Sequence, residues 1–237
     1  MLKIKNLTVV SESEELLTNI NLEVNEGEIH AIMGPMHSGK TALAHSISGH
    51  PNILINNGSI TFNRKKINNI DIEERYKLGI FTTFQYPPEF EGLTNWDIAK
   101  SVFSDKENDL QLKYSVCATV LGLDEDHKNK QVNGISMNMS DAKKNEIILM
   151  MLRDPKLVVL DEVDQGLTDD EIVIVGLIVK DFLAASGKAC IVITHSHVLL
   201  DTLTPTHVHV MVNGKIIAKG GADLHKRIIE DGYPEFS

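Results

Sequence analysis

Apolar and polar positions along the chain switch repeatedly between a period of two and a period near 3.6, which predicts strands and helices in turn. Leu2, Ile4 and Leu7 to Val10 form one strand-like run, and Leu22 with Val24 a second. Past Gly27, the segment Glu28-Ile-His-Ala-Ile-Met33 is short and apolar and stops at Gly34-Pro35, the signature of a buried strand. Helical spacing follows from Lys40 to about Ser48, ending at Gly49-His50-Pro51. Asn57-Gly58 predicts a turn ahead of a strand from Ser59 to Phe62. Ile70 to Lys77 reads as helix and Gly79 to Phe84 as strand. In the second half, a helix from Ala142 to Leu152 is stopped at Asp154-Pro155. The apolar strand Leu157 to Leu160 comes next, then a helix from Glu171 to Ala185 and a strand from Ala189 to Thr194. Asn213-Gly214 predicts a hairpin joining His207–Val212 to Lys215–Lys219.

The stretch between Gln85 and Ser140 breaks this alternation. Pro87-Pro88 opens it, and polar helices follow. Residues 86–140 are therefore read as an approximate helical subdomain inserted in an α/β core, the whole of 1–237 forming one domain. The strands ending at Met33, Leu160 and Thr194 each run into polar residues. In parallel α/β sheets ligands bind beyond such strand ends, so the chemistry is sought there.

Composition narrows the partners. With 42% hydrophobic and 24% charged residues the chain has an ordinary globular mix. Its net charge of −10 argues against a nucleic-acid binder. No apolar run approaches the ~20 residues of a membrane helix, so direct membrane insertion is not expected. Two distant cysteines, Cys117 and Cys190, make no disulfide framework, and a reducing location is expected: cytoplasm, or organelle stroma or matrix.

Gly34-Pro35-Met36-His37-Ser38-Gly39-Lys40-Thr41 fits G-x-x-x-x-G-K-[ST], with a strand before it and a helix after. Glycines let the backbone wrap a phosphate with its N–H groups, and the helix N-terminus adds partial positive charge. Lys40 can reach the outer phosphates, and the Thr41 hydroxyl can ligate Mg²⁺. His37 is either a tolerated substitution or a pH-sensitive contact near the phosphates.

Leu157-Val-Val-Leu-Asp161-Glu162 presents two carboxylates at a strand tip. Asp161 would hold Mg²⁺, and Glu162 would orient and polarise the attacking water. His195, at the third strand end, can bond the γ-phosphate. Gln85 can touch Mg²⁺ or water and report nucleotide state to the insert. His197, His207 and His209 read as structural or surface residues, with a zinc site among them as the sharper alternative.

These motifs, in this order, resemble the ATP-binding-cassette ATPases over the whole chain, and more narrowly those of SufC type from the SUF iron–sulfur cluster assembly system. The closer match rests on His30-Ala-Ile-Met-Gly-Pro35, Gly79-Ile-Phe81 with Phe84-Gln-Tyr-Pro87, Lys144-Asn-Glu-Ile147, Leu160-Asp-Glu-Val-Asp-Gln-Gly-Leu167 and Glu230-Asp-Gly-Tyr233. The resemblance implies a P-loop α/β core with an antiparallel β subdomain and a helical subdomain. It implies ATP and Mg²⁺ as cofactors and a transient homodimer closed over two ATP molecules. A SufB/SufD-type scaffold would be the partner, contacting the segment from Tyr86 to Trp96. Trp96 alternatively belongs to the core of the helical lobe.

One motif departs from the family. Where Ser-Gly-Gly-Glu or Ser-Gly-Gly-Gln is expected, counting back from Lys144 places Asn138-Met139-Ser140-Asp141, and counting forward from Gly134 places Ser136-Met137-Asn138. The glycines are gone in either register, and Met side chains obstruct close backbone approach. Weak closure, slow turnover or dependence on a partner is expected. By the same resemblance Lys143 would pair with Glu162 in the resting monomer; otherwise it is a solvated lysine. Three functions stay open: an assembly ATPase, the nucleotide-binding subunit of a transporter, and a nucleotide-gated module with little hydrolysis.

Overall fold

In the computed structural model, which describes residues 1–12, 14–103 and 107–233, two sheets share the chain. The first is four-stranded and antiparallel, in the order β2-β1-β4-β5 (β1 Leu2–Ser11, β2 Glu14–Val24, β4 Leu54–Phe62, β5 Lys65–Lys66). The second is six-stranded, in the order β10-β9-β3-β8-β7-β6 (β3 Ile29–Met33, β6 Ile80–Thr82, β7 Leu157–Asp161, β8 Ala189–Ile193, β9 His207–Val212, β10 Lys215–Gly220). It is parallel except at its β10 edge.

Strand alternation divides the core. Ala31, Met33, Val158, Leu160, Cys190 and Val192 face the helices on one side of the six-stranded sheet. Ile32, Leu157, Val159, Ile191 and Ile193 face the other side, where α1 (Lys40–Ser48) and the antiparallel sheet cover them. The helices α5 (Met139–Arg153), α6 (Asp169–Leu183), α7 (His197–Leu203) and α8 (Ala222–Asp231) contribute to the first half. On the second half α2 (Ile72–Leu78) follows β5, and Arg75 donates to the carbonyls of Ser46 and Ile47 at 2.6 and 3.0 Å, closing the end of α1. Within 86–140 lie α3 (Asn95–Val102) and α4 (Glu107–Val120), which contact each other and α5. Trp96 meets Tyr114 edge-on at 5.7 Å, a core contact of this helical lobe.

The structure extends or corrects several elements. β2 begins at Glu14, well before Leu22, because its inward residues Leu17, Ile20, Leu22 and Val24 change spacing at Asn19, whose φ is 53°. The same happens in β1 at Asn6, φ 47°, between Ile4 and Leu7. These bulges hide the period of two from sequence reading. Asn57-Gly58 is not a turn: both lie inside β4 at a bulge. Gly58 has φ 85°, and a Cβ there would come within 2.3 Å of the Asn6 carbonyl oxygen. The Asn213-Gly214 hairpin forms as expected, both residues at positive φ.

Candidate functional site

The loop from Gly34 to Thr41 leaves β3 and enters α1. Gly39 caps α1 at φ 99° without a side-chain acceptor, and no acidic residue occupies the first turn. The helix N-terminus therefore keeps its N–H groups for an anion. Glycine is required at both ends of the loop by close approach. A Cβ on Gly34 would lie 2.1 Å from the Met211 carbonyl oxygen, and one on Gly39 would lie 2.9 Å from Leu17. The β9–β10 turn buttresses the loop, with Gly214 N donating to Ser38 O at 3.0 Å. His37 sits at φ 61° and is exposed with Met36, whereas Ser38 is buried.

Lys40 folds back over its own loop, donating to the Gly34 and Pro35 carbonyls at 2.9 and 2.8 Å. Burial lowers its pKa, opposed by the negative charges of Glu162 and Asp161. Asp161 is 1% exposed, and burial raises its carboxyl to about 6 against the Thr41 hydroxyl beside it. Its backbone N–H donates to Thr83 Oγ1 at 2.9 Å, but its Oδ1 is buried with no hydrogen-bond partner. A buried, unpartnered carboxylate oxygen next to a hydroxyl fits a hard divalent cation, so Thr41 and Asp161 suit Mg²⁺.

Glu162 follows Asp161 at φ 48°, with its N–H bonded to Ile193 O at 2.9 Å. That kink sends its side chain to Gln85, whose Nε2 donates to Glu162 Oε2 at 2.9 Å. His195 is exposed past the end of β8. Partial burial lowers its imidazole pKa, helped by Lys40 and opposed by Glu162. Lys40, Glu162 and His195 thus share one electrostatic neighbourhood.

The Lys143–Glu162 pair is not formed. Lys143 is fully buried; its Nζ donates to the Phe84 carbonyl and lies 3.9 Å from Glu146 Oε2. Glu146 Oε1 in turn accepts the Phe84 N–H at 2.8 Å. The backbone of Phe84 is held at both its N–H and its carbonyl because Lys143 and Glu146 are one turn apart on α5, on its inward face. Nor is Lys143 the solvated lysine of the alternative. Lys144 instead pairs with Glu171 of α6.

The segment counted back from Lys144 opens helix α5. Asn138 is its N-cap, accepting the Asp141 N–H at 2.8 Å, so Met139, Ser140 and Asp141 form the first turn. Ser136 and Met137 lie ahead of the helix. The Met139 side chain packs on Gly166, and Ser140 Oγ bonds Glu171 Oε1 at 3.2 Å.

Sequence reading missed three neighbours. Tyr233 accepts the Gly34 N–H on its hydroxyl at 3.0 Å, tying the C-terminal tail to the phosphate loop. Thr83 supports Asp161, and Thr194 donates to Asp164 at 2.7 Å behind Glu162. Each partner is distant in sequence, so no local motif announces it.

A strand–loop–helix anion cradle at the end of β3, facing two carboxylates at the end of β7 in the same sheet, defines a nucleotide-binding cassette. Residues 17–165 match the family described as ABC transporter, and the chain belongs to that family. Its cassettes bind ATP with Mg²⁺, consistent with the donor set here. The chain is 40% identical over 243 residues to "Probable ATP-dependent transporter ycf16" of Trieres chinensis, covering 98% of this chain and 96% of that one. It is 35% identical over 240 residues to "Vegetative protein 296" of Bacillus subtilis, covering 98% and 91%. In fold it is similar to the dimeric post-hydrolysis structure of the ATP-binding cassette MJ0796 bound to ADP and Pi, with TM-score 0.81, 21% identity, and 94% and 99% coverage. No helix among the described residues is long and apolar enough to cross a membrane.

Proposed function

We propose that this chain is the ATP-hydrolysing subunit of an iron–sulfur cluster assembly complex, in which nucleotide-driven homodimer closure remodels a SufB/SufD-type scaffold. In this reading the amides between Gly34 and Thr41 hold the phosphates, and Lys40 leaves the Gly34 and Pro35 carbonyls for the outer phosphate. Thr41, Asp161 and Gln85 would hold Mg²⁺, which when bound neutralises phosphate charge and fixes the phosphate oxygens. Glu162 orients water as base, and His195 bonds the γ-phosphate. The overall arrangement positions and polarises rather than forming covalent intermediates.

The observation that carries this reading is the Gln85–Glu162 hydrogen bond at the edge of an apolar groove. That cavity, about 560 Å³, is lined by Phe84, Pro87, Phe90, Ile98, Met137 and Leu149 among others. Tyr86, Phe90 and Leu93 are exposed along its rim segment. A partner seated there would touch the peptide next to Gln85 and so sense the catalytic carboxylate. Asn138, Met139, Ser140 and Asp141 would face the second copy's nucleotide without the usual glycines, which supports slow or partner-dependent turnover.

A membrane-transporter role is the second reading, favoured by the printed names of the ycf16 relatives. Affinity purification from the native cell separates the two: a soluble scaffold supports assembly, and a membrane subunit overturns it. Turnover measured with and without that partner, beside a Glu162→Gln variant that binds ATP but does not hydrolyse it, tests the catalytic roles. Hydrolysis at the wild-type rate in Glu162→Gln would remove Glu162 from the mechanism.

A further inference from the structure

Far from the phosphate loop, at the other end of the same sheet, three histidines and a glutamate converge. β9 runs parallel to β3, with His207 opposite His30 and His209 opposite Ile32. The His30 ring stacks on His207 with centroids 4.4 Å apart and on His209 at 5.1 Å. Its Nε2 lies 3.0 Å from Glu28 Oε2, and its Nδ1 lies 2.9 Å from His209 Nε2. One ligand atom from each of Glu28, His30 and His207 lies within 4.8 Å of the other two. His30 enters β3 four residues before Gly34, roughly 13 Å along the strand, so this cluster is separate from the nucleotide site.

We propose that Glu28, His30 and His207 bind one divalent transition-metal ion of the Zn²⁺ or Fe²⁺ class, with His209 supporting His30 from behind. Two imidazoles and one carboxylate are a ligand set for such ions, with positions left for water. Metal–ligand bonds of about 2.0 to 2.2 Å need ligand atoms to close by no more than about 1.5 Å from their present spread, a side-chain adjustment.

The surroundings are arranged for this. His30 is buried, while His207 is exposed and Glu28 partly so, leaving an approach from solvent. Asn25 positions the carboxylate, its N–H reaching Glu28 Oε2 at 2.7 Å and its Nδ2 reaching Oε1 at 3.1 Å. His207 Nδ1 lies 3.0 Å from the Thr206 hydroxyl, which leaves Nε2 for a metal. A metal-bound histidine usually donates its second N–H to a fixed acceptor, and His209 Nε2 is placed to accept from His30. His209 is 4% exposed, and its Nδ1 has no partner. Mg²⁺ prefers oxygen donors and would not compete here.

Calorimetric titration of Zn²⁺ into untagged, metal-stripped full-length protein, in excess Mg²⁺, tests the site. One ion per chain is expected, with affinity reduced about tenfold or more in His207→Ala and in Glu28→Gln. Co²⁺ should give visible d–d absorption that His207→Ala loses. His207 is exposed, so that variant should unfold at the metal-free wild-type temperature. His195→Ala should bind Zn²⁺ unchanged, which separates this site from the nucleotide end. Absence of a stoichiometric site over Mg²⁺ overturns the proposal. So does unchanged affinity in both His207→Ala and Glu28→Gln, or loss in His195→Ala instead.

Discussion

Gln85 Nε2 and Glu162 Oε2 are 2.9 Å apart, a hydrogen bond between residues separated by 77 positions in the chain. It joins the segment between β6 and α3 to the carboxylate that would activate water. Gln85→Ala should lower kcat about tenfold with a smaller loss of Mg–nucleotide affinity, because it removes the contact to the base and one of the three proposed Mg²⁺ ligands while leaving the phosphate cradle intact. Steady-state kinetics with nucleotide-binding calorimetry checks this. A loss of affinity with kcat intact would place Gln85 in binding alone.

The N–H and the carbonyl of Phe84 are held by a buried glutamate and a buried lysine of α5. Lys143→Met leaves Glu146 without its cation and the Phe84 carbonyl without its donor. Burial raises the Glu146 carboxyl to about 8, so it can protonate when its cation is removed, and the unfolding free energy from urea titration should fall by about 1 to 3 kcal/mol, the cost of unpaired buried polar groups. The double change Lys143→Met with Glu146→Leu should differ from the sum of the single changes, since the two side chains share the Phe84 backbone. Additive losses would mean that the two side chains act independently.

Met139 and Ser140 stand in the first turn of α5, which in the proposed closed dimer would face the second copy's nucleotide. Met139→Gly with Ser140→Gly should raise ATP hydrolysis and the ATP-dependent dimer fraction seen by light scattering. The same change should cost about 1 kcal/mol per glycine in stability, plus the contact of Met139 with Gly166. Unaltered turnover and dimerisation would show that the missing glycines do not limit closure.

Glu171 is held to about 2 by the Lys144 ammonium and by the Thr168 N–H and hydroxyl. Its folded pKa lies below its ordinary value of 4.5. The stabilisation is therefore present above pH 4.5 and is lost as pH falls towards about 2. Glu171→Gln should cost about 1 kcal/mol at pH 7 and flatten the acid limb of the stability curve. Thermal unfolding from pH 7 down to pH 3 reads both effects. An unchanged acid slope would exclude this carboxylate as a contributor.

Local sequence determined much of this protein. The phosphate loop, the apolar strands β3, β7 and β8 and the helices α1 and α6 were legible because each rests on residues adjacent in the chain. Glycine, proline and continuous apolar runs act on the backbone where they stand. The bulges at Asn6, Asn19 and Gly58 were not legible, since a bulge is fixed by the strand across from it. Tertiary structure alone decided that Lys143 turns inward to Phe84 and leaves Glu162 to Gln85. It alone brought Tyr233 to Gly34, and Glu28 and His30 to His207. Those pairings join positions far apart in sequence: the burial of α5 brings Lys143 to Phe84, the parallel register of β3 with β9 brings His30 to His207, and the tail after α8 carries Tyr233 to Gly34.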